Sequence, residues 1–517
     1  MSEEKHVVEH EQQKKEKTKK QYKPFWIVMS FIILIVVLLF PVPSSLPIMA
    51  KAVLAILAFA VIMWVTEAVS YPVSATLIIG LMILLLGFSP VQNLGEKLGN
   101  PKSGSAVLTG SDLLGTNHAL SLAFSGFATS AVALVAAALF LAAAMQETNL
   151  HKRLALLVLS IVGNKTRNIV IGAIIVSIVL AFFVPSATAR AGAVVPILLG
   201  MIAAFKVSKD SKLASLLIIT SVQAVSIWNI GIKTAAAQNI VAINFINHQL
   251  GFDVSWGEWF LYAAPWSIVM SIALYFIMIK VMPPEINTIE GGKDLIKEEL
   301  HKLGPVSARE WRLIVISMLL LLFWSTEKVL HPIDSASITI IALGVMLMPK
   351  IGVMTWKHVE NKIPWGTIIV FGVGISLGNV LLKTGAAQWL SDQTFGVLGL
   401  KHLPIIATIA LITLFNILIH LGFASATSLS SALIPVFISL TSTLHLGDQS
   451  IGFVIIQQFV ISFGFLLPVS APQNMLAYGT GTFTVKDFLK AGIPLTIVGY
   501  ILVIVFSMTY WKWLGLL

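Results

Sequence analysis

The stretch Phe183-Val184-Pro185-Ser186-Ala187-Thr188-Ala189-Arg190-Ala191-Gly192 interrupts an apolar run over residues 168–205. Each side of the interruption holds roughly 17 residues or fewer, and a helix needs about 20 to cross the hydrocarbon of a bilayer. Two short helices meeting at a polar tip predict a re-entrant hairpin, a form tolerated at membrane depth only where protein or water covers the tip. Ser425-Ala426-Thr427 repeats that tip inside a second interrupted run over 403–444. The spacing to the next proline is identical, from Ser186 to Pro196 and from Ser425 to Pro435.

Further blocks match in the same order on either side. Trp64-Val65-Thr66-Glu67 before Pro72 corresponds to Trp324-Ser325-Thr326-Glu327 before Pro332. Ala236-Ala237-Gln238-Asn239, which breaks the segment 213–246, corresponds to Ala471-Pro472-Gln473-Asn474, which breaks 451–480. Glu258-Trp259 with Pro265 corresponds to Asp487-Phe488 with Pro494. Matched blocks in one order mark an internal duplication.

Composition sets the solvent. The chain has 517 residues, of which 57% are hydrophobic and 11% charged. A soluble globular chain carries about 25% charged residues, so polar surface is too scarce for a water-facing globule. Disorder is excluded on the same ground. The net charge of +10 sits mainly in a tail and in short loops, which fits membrane orientation rather than nucleic-acid binding. Without cysteine, disulfides, thiolate metal sites and cysteine nucleophiles are ruled out.

These observations predict an all-α polytopic membrane protein. Residues 1–24 form a basic tail with seven lysines, from Lys5 to Lys23, and read as a solvated cytoplasmic segment rather than a signal peptide. The first transmembrane helix lies within 25–47. Repeat 1 follows over 48–282, with the hairpin 168–205 and the broken helix 213–246. A polar cytoplasmic loop occupies 283–310, and repeat 2 fills 311–517, with the hairpin 403–444 and the broken helix 451–480. Residues 119–148 read as one apolar segment, and 151–163 and 386–398 as helices lying at the membrane surface. Six crossings separate the tail from the central loop, so the second repeat starts on the opposite side from the first. Inverted repeats with interrupted helices near the midplane are the pattern of secondary transporters. No Walker loop and no convincing catalytic or metal-ligand spacing appears, which argues against an enzyme or an ATP-driven pump and predicts no cofactor and no metal.

The candidate site is the set of four interruptions. Ser186, Thr188, Ser425 and Thr427 supply hydroxyls, and Asn239 and Asn474 supply carboxamides. Such groups suit a carboxylate without placing a permanent charge in the bilayer, and short half-helices aim free N–H groups at an anion. Arg190, Lys233 and His420 lie beside the same breaks and are assigned to charge compensation, because ionisable groups at membrane depth are costly and usually functional. The alternative for a lone Ser or Thr is a bond back to its own backbone. Repetition at matched breaks argues against that. For Glu67 and Glu327 the structural alternative is preferred, as partners of a cap, a loop or a neighbouring subunit.

Duplicated Ser-X-Thr tips, each followed by a proline, and later broken helices ending in Asn resemble the divalent anion/sodium symporter family, the INDY-type dicarboxylate and citrate transporters. The resemblance covers about residues 25–514. It implies about 11 transmembrane helices, two re-entrant hairpins, two broken helices, a homodimer and an elevator motion. It also implies a dicarboxylate substrate and residence in the plasma membrane. The family's tips read Ser-Asn-Thr, and those asparagines help bind carboxylate and sodium. Ala187 and Ala426 replace both. Thr188-Ala189-Arg190-Ala191-Gly192 is similar to the Thr-Ala-Arg-Gly of the exchanger branch. The reading that follows is sodium-independent exchange of C4/C5 dicarboxylates, with sodium-coupled symport and an anion channel as alternatives.

Overall fold

A computed structural model describes residues 22–41, 46–91, 113–204, 207–288 and 292–517. Most of the lysine-rich tail therefore lies outside the described residues. Those described form α-helices with short 3-10 turns and no β-strand. Eight of the described helices are at least 18 residues long and apolar enough to cross a membrane, and six shorter apolar helices have 10–17 residues. Ile493, Ile497, Ile501 and Val505 form an exposed stripe at four-residue spacing, as do Ile268, Ile272 and Phe276. Such stripes, continuous along long helices, are stable against lipid and not against water. The protein is a multi-pass membrane protein.

The chain divides into two compact units. One comprises the described residues of Met1–Ala128 together with Trp365–Val397. Its helices include Ile48–Thr66, Tyr71–Gly87 and Trp365–Lys383, and the last packs against Tyr71–Gly87. The other unit, Thr129–Pro364 with Leu398–Leu517, contains both hairpins and both broken helices. There Ser130–Glu147 packs against Ser335–Leu347. The helix before each surface helix thus pairs with the second helix of the opposite repeat, so the halves interlock.

Local chemistry sets the helix ends. Ser255 and Glu258 form a capping box at the start of Trp256–Val281, and Thr484 and Asp487 form one at the start of Val485–Met508. The matched acids are therefore helix-start signals that satisfy otherwise orphaned N–H groups. Glu327 has a structural task too. Its carboxylate accepts from the Ser335 amide at 3.2 Å, the Ser335 hydroxyl at 2.6 Å and the Trp256 amide at 3.3 Å. Its counterpart Glu67 is exposed, sits at φ 47° and accepts only from Tyr71 Oη, at 3.1 Å, among the described bonds.

Two expectations need correction and a third is sharpened. Residues 119–148 are two helices, Thr116–Phe124 and Ser130–Glu147. At the junction Gly126 donates to Ser376 Oγ at 2.8 Å, and a Cβ there would lie 2.6 Å from the Ser376 nitrogen. Residues 283–310 are not all loop, because Gly292–Lys302 is a helix held by Lys302–Glu298 and Lys302–Glu299 ion pairs. The first apolar helix, expected within 25–47, is Pro24–Leu39, since Pro41 and Pro43 follow and the residue before a proline is driven out of helical geometry.

Candidate functional site

Each hairpin is a pair of helices joined by a short tip. Thr166–Phe183 and Ala187–Ala204 flank the first, and Ile405–His420 and Ala426–Thr443 flank the second. The tip serines act as N-caps. Ser186 Oγ accepts from the Ala189 amide at 3.3 Å, and Ser425 Oγ accepts from the Ser428 amide at 3.2 Å. Capping uses a lone pair and leaves the hydroxyl proton available to a second partner. Thr188 is exposed and Thr427 half-buried.

The broken helices are built alike. Lys212–Gly231 is buried from Leu213 to Gly231, turns through Lys233–Ala235 and resumes as Ala237–Leu250. Gln449–Ile461 gives way to a turn at Pro468–Ser470 and resumes as Pro472–Tyr478. After each break the asparagine donates from Nδ2 to the carbonyl ten residues upstream, Asn239 to Asn229 O and Asn474 to Gly464 O, both at 2.7 Å. These bonds satisfy carbonyls that lose their helical donors at the interruption. Asn239 also donates to Ile232 O at 3.2 Å and accepts from Gln458 Nε2 at 3.4 Å.

The halves are stitched across their breaks. Gln238 Nε2 donates to Ser462 Oγ at 3.2 Å, and Gln473 Nε2 donates to Ser226 Oγ at 3.1 Å. The second helix of the first hairpin packs against Pro472–Tyr478, and that of the second hairpin against Ala237–Leu250. The element carrying Ser186, Thr188 and Arg190 thus meets the one carrying Asn474, while the element carrying Ser425 and Thr427 meets the one carrying Asn239. The four interruptions predicted from sequence lie in one unit and exchange partners between repeats.

The three ionisable residues differ. Arg190 is fully buried. Its Nη2 donates to Asn229 Oδ1 and, at 3.1 Å, to Ala235 O, while Nε and Nη1 have no protein partner. No carboxylate pairs with it among the described residues. Lys233 is buried and donates to Val254 O at 2.7 Å, so its head leans toward the start of Trp256–Val281. His420 is buried, with Nε2 3.4 Å from Ser470 O and Nδ1 unpartnered.

Sequence reasoning missed Asn229, Ser430 and Gln458. Ser430 Oγ lies 2.8 Å from Gln458 Oε1, which ties the second hairpin to the network around Asn239. A signal for Gln458 existed, because Gln223 and Gln458 stand at the same distance before the asparagines of their breaks. Gln223 donates to Phe465 O at 2.9 Å. Among the described residues no group of three or more His, Cys, Asp or Glu could hold a metal ion.

The segment that holds the duplicated hairpins, the paired broken helices and the buried polar centre matches a known family along its whole length. The sodium:sulfate symporter transmembrane region aligns with residues 21–517. The chain belongs to the sodium:sulfate symporter family. It is 48% identical over 482 residues to a membrane protein of Cupriavidus necator, covering 93% of this chain and 91% of that one. It is 24% identical to the sodium-dependent dicarboxylate transporter SdcS of Staphylococcus saprophyticus, over 92% and 89% of the two chains. It is 23% identical to the citrate/succinate antiporter of Escherichia coli K12, over 90% and 93%. The fold is similar to that of the Alcanivorax borkumensis YdaH transporter, with a TM-score of 0.51 at 15% identity, over 75% of this chain and 87% of that one. The protein is a transporter and not an enzyme, as the sequence predicts.

Proposed function

We propose that this protein is a sodium-independent exchanger of C4/C5 dicarboxylates such as succinate, malate, fumarate or 2-oxoglutarate. The observation that carries the reading is Arg190, a fully buried guanidinium that pairs with no carboxylate among the described residues and keeps Nε and Nη1 unpartnered. A dianion answers that charge. Ser186, Thr188, Asn239, Ser425, Thr427 and Asn474 cradle the carboxylates, while Arg190, Lys233 and His420 supply positive potential. Related carriers named for dicarboxylates and for citrate/succinate exchange support this substrate class.

Exchange follows from charge. Without a bound anion, the carrier would have to move an unpaired cation through the bilayer interior, which costs about 2.5–3.5 kcal/mol even on insertion scales. A loaded carrier returns with its charge balanced. The moving part is an elevator-type transport domain in a homodimer, set in the plasma membrane with the N-terminus in the cytoplasm. The family description and the sodium-dependent relative favour a second reading, sodium-coupled symport through hydroxyls and backbone carbonyls.

Proteoliposomes separate the two. Exchange predicts labelled succinate uptake only when the lumen holds dicarboxylate, with or without sodium. Strong uptake into substrate-free vesicles driven by a sodium gradient would falsify it. The double variant Ser186→Ala with Ser425→Ala is expected to lower counterflow while the protein still assembles; unchanged uptake removes those hydroxyls from the site.

A further inference from the structure

A cavity of about 210 Å³ begins at Gly192, one turn past Thr188, and none of the residues proposed to hold carboxylate lines it. Its walls come from the surface helix Leu150–Val162, the second helix of the first hairpin and the linker helix Gly292–Lys302. Leu156, Ile197, Met201 and Ile296 make an apolar body, and His151, Lys152 and Glu299 make a polar end. Gly200 faces the space, and a Cβ on it would meet nothing within 4 Å.

The polar end is neutral in balance. Glu299 pairs with Lys152 and with Lys302, each at 3.0 Å, and Lys302 also pairs with Glu298 at 2.9 Å, so two carboxylates balance two ammonium groups. His151 Nδ1 lies 2.7 Å from Met145 O. A carbonyl only accepts, so Nδ1 carries the proton and Nε2 of the neutral ring is an acceptor. Burial favours that neutral ring. Pro196, which also lines the cavity, has no N–H, and the Gly192 carbonyl one turn earlier therefore lacks its usual helical donor. The space thus offers two acceptors, no unbalanced charge and an apolar wall. An apolar cavity of about 150 Å³ already holds a benzene-sized ligand.

We propose that this cavity binds a small neutral amphiphile, whose hydroxyl head donates to His151 Nε2 or the Gly192 carbonyl while its alkyl body lies along Leu156, Ile197, Met201 and Ile296. The same chemistry reaches the site as a free alcohol from water or as a monoglyceride from the bilayer.

The test is photolabelling of the full-length protein in phosphatidylcholine nanodiscs with a diazirine-bearing octanol, read by peptide mass spectrometry. Label is expected on peptides from 150–162 and 195–204. Excess 1-octanol or monooleoylglycerol should lower it about tenfold. Competition by octanol alone assigns the aqueous source, and by the glyceride alone the bilayer source. Gly200→Leu fills the space and should cut labelling as strongly while counterflow persists. If that variant does not assemble, Ile197→Trp fills the cavity from the adjacent position and serves the same purpose. Label spread along lipid-facing Trp256–Val281 and unchanged by the filling variant overturns the proposal, as does failure of both competitors. Stronger competition by octanoate than by octanol overturns the neutral head.

Discussion

The two broken helices start from matched sequence and close in different ways. In both, an asparagine caps the carbonyl ten residues upstream, and a glutamine reaches a serine of the opposite repeat. The carbonyl that ends each 3-10 turn is met differently. Arg190, four residues past the first tip serine, donates to Ala235 O, whereas His420, five residues before the second, approaches Ser470 O. Leu429 stands where a second arginine would be, Ala181 where a second histidine would be, and Gly464 where Asn229 has its counterpart. Duplication supplied a symmetric frame of capped breaks, and substitution placed the permanent positive charge on one side of it.

The largest effect is expected from removing that asymmetry. Arg190→Leu copies Leu429 and should reduce counterflow roughly tenfold to hundredfold, since hydrogen bonds to charged groups contribute about 1.5–3 kcal/mol. Asn229→Gly copies Gly464 and leaves Arg190 with only the Ala235 carbonyl, so it should give a smaller loss of the same kind. Initial exchange rates in proteoliposomes rank the two, and equal, negligible losses would mean the first break carries no anion charge.

Asn239→Ala should destabilise more than Asn474→Ala. The first removes bonds to three carbonyls and one glutamine, while the second removes one. Each unsatisfied buried group costs about 1–3 kcal/mol, so midpoints of thermal unfolding in detergent should separate the pair. The cross-repeat bonds test what is still symmetric. Gln238→Leu and Gln473→Leu are expected to cost about 1 kcal/mol each and to add in combination, because their bonds share no partner. A strongly unequal pair would break the symmetry of the stitching.

The smallest effect concerns the linker helix. Side-chain bonds from Lys152 and Lys302 hold the Glu299 carboxylate below the usual glutamate range. A lowered native value stabilises the clasp fully above about pH 4.3, the ordinary glutamate value, and the contribution disappears as the pH falls through the lowered value. Glu299 is half-buried and still in contact with solvent, so the change should appear only as faster amide exchange over 292–302 in acid.

Much of the candidate site was legible because its signals are local. Ser186 and Ser425 stand three residues before the amides they cap, and the Gln-Asn pairs sit at the breaks they close, so each motif and its task share one short segment. Repeat comparison also pointed to the capping acids Glu258 and Asp487. It passed over Asn229 because the matched position is glycine. It took 119–148 as one segment because the partner that demands glycine at 126 is Ser376, 250 residues away. The linker helix was hidden by its polarity, although Glu298 and Lys302 have the spacing of a helical ion pair.

Sequence alone determined the membrane class, the duplication and the positions of the four breaks. These rest on composition, spacing and chain-local helix rules, none of which needs a distant partner. Tertiary structure decided where each freed polar group is satisfied: Arg190 on Asn229 and Ala235, Lys233 on Val254, Glu327 on two helix starts, and each glutamine on a serine of the opposite half. The reason is the cost of burial. A polar group out of water must find a partner, and the partner available is fixed by packing between segments that sequence spacing does not relate.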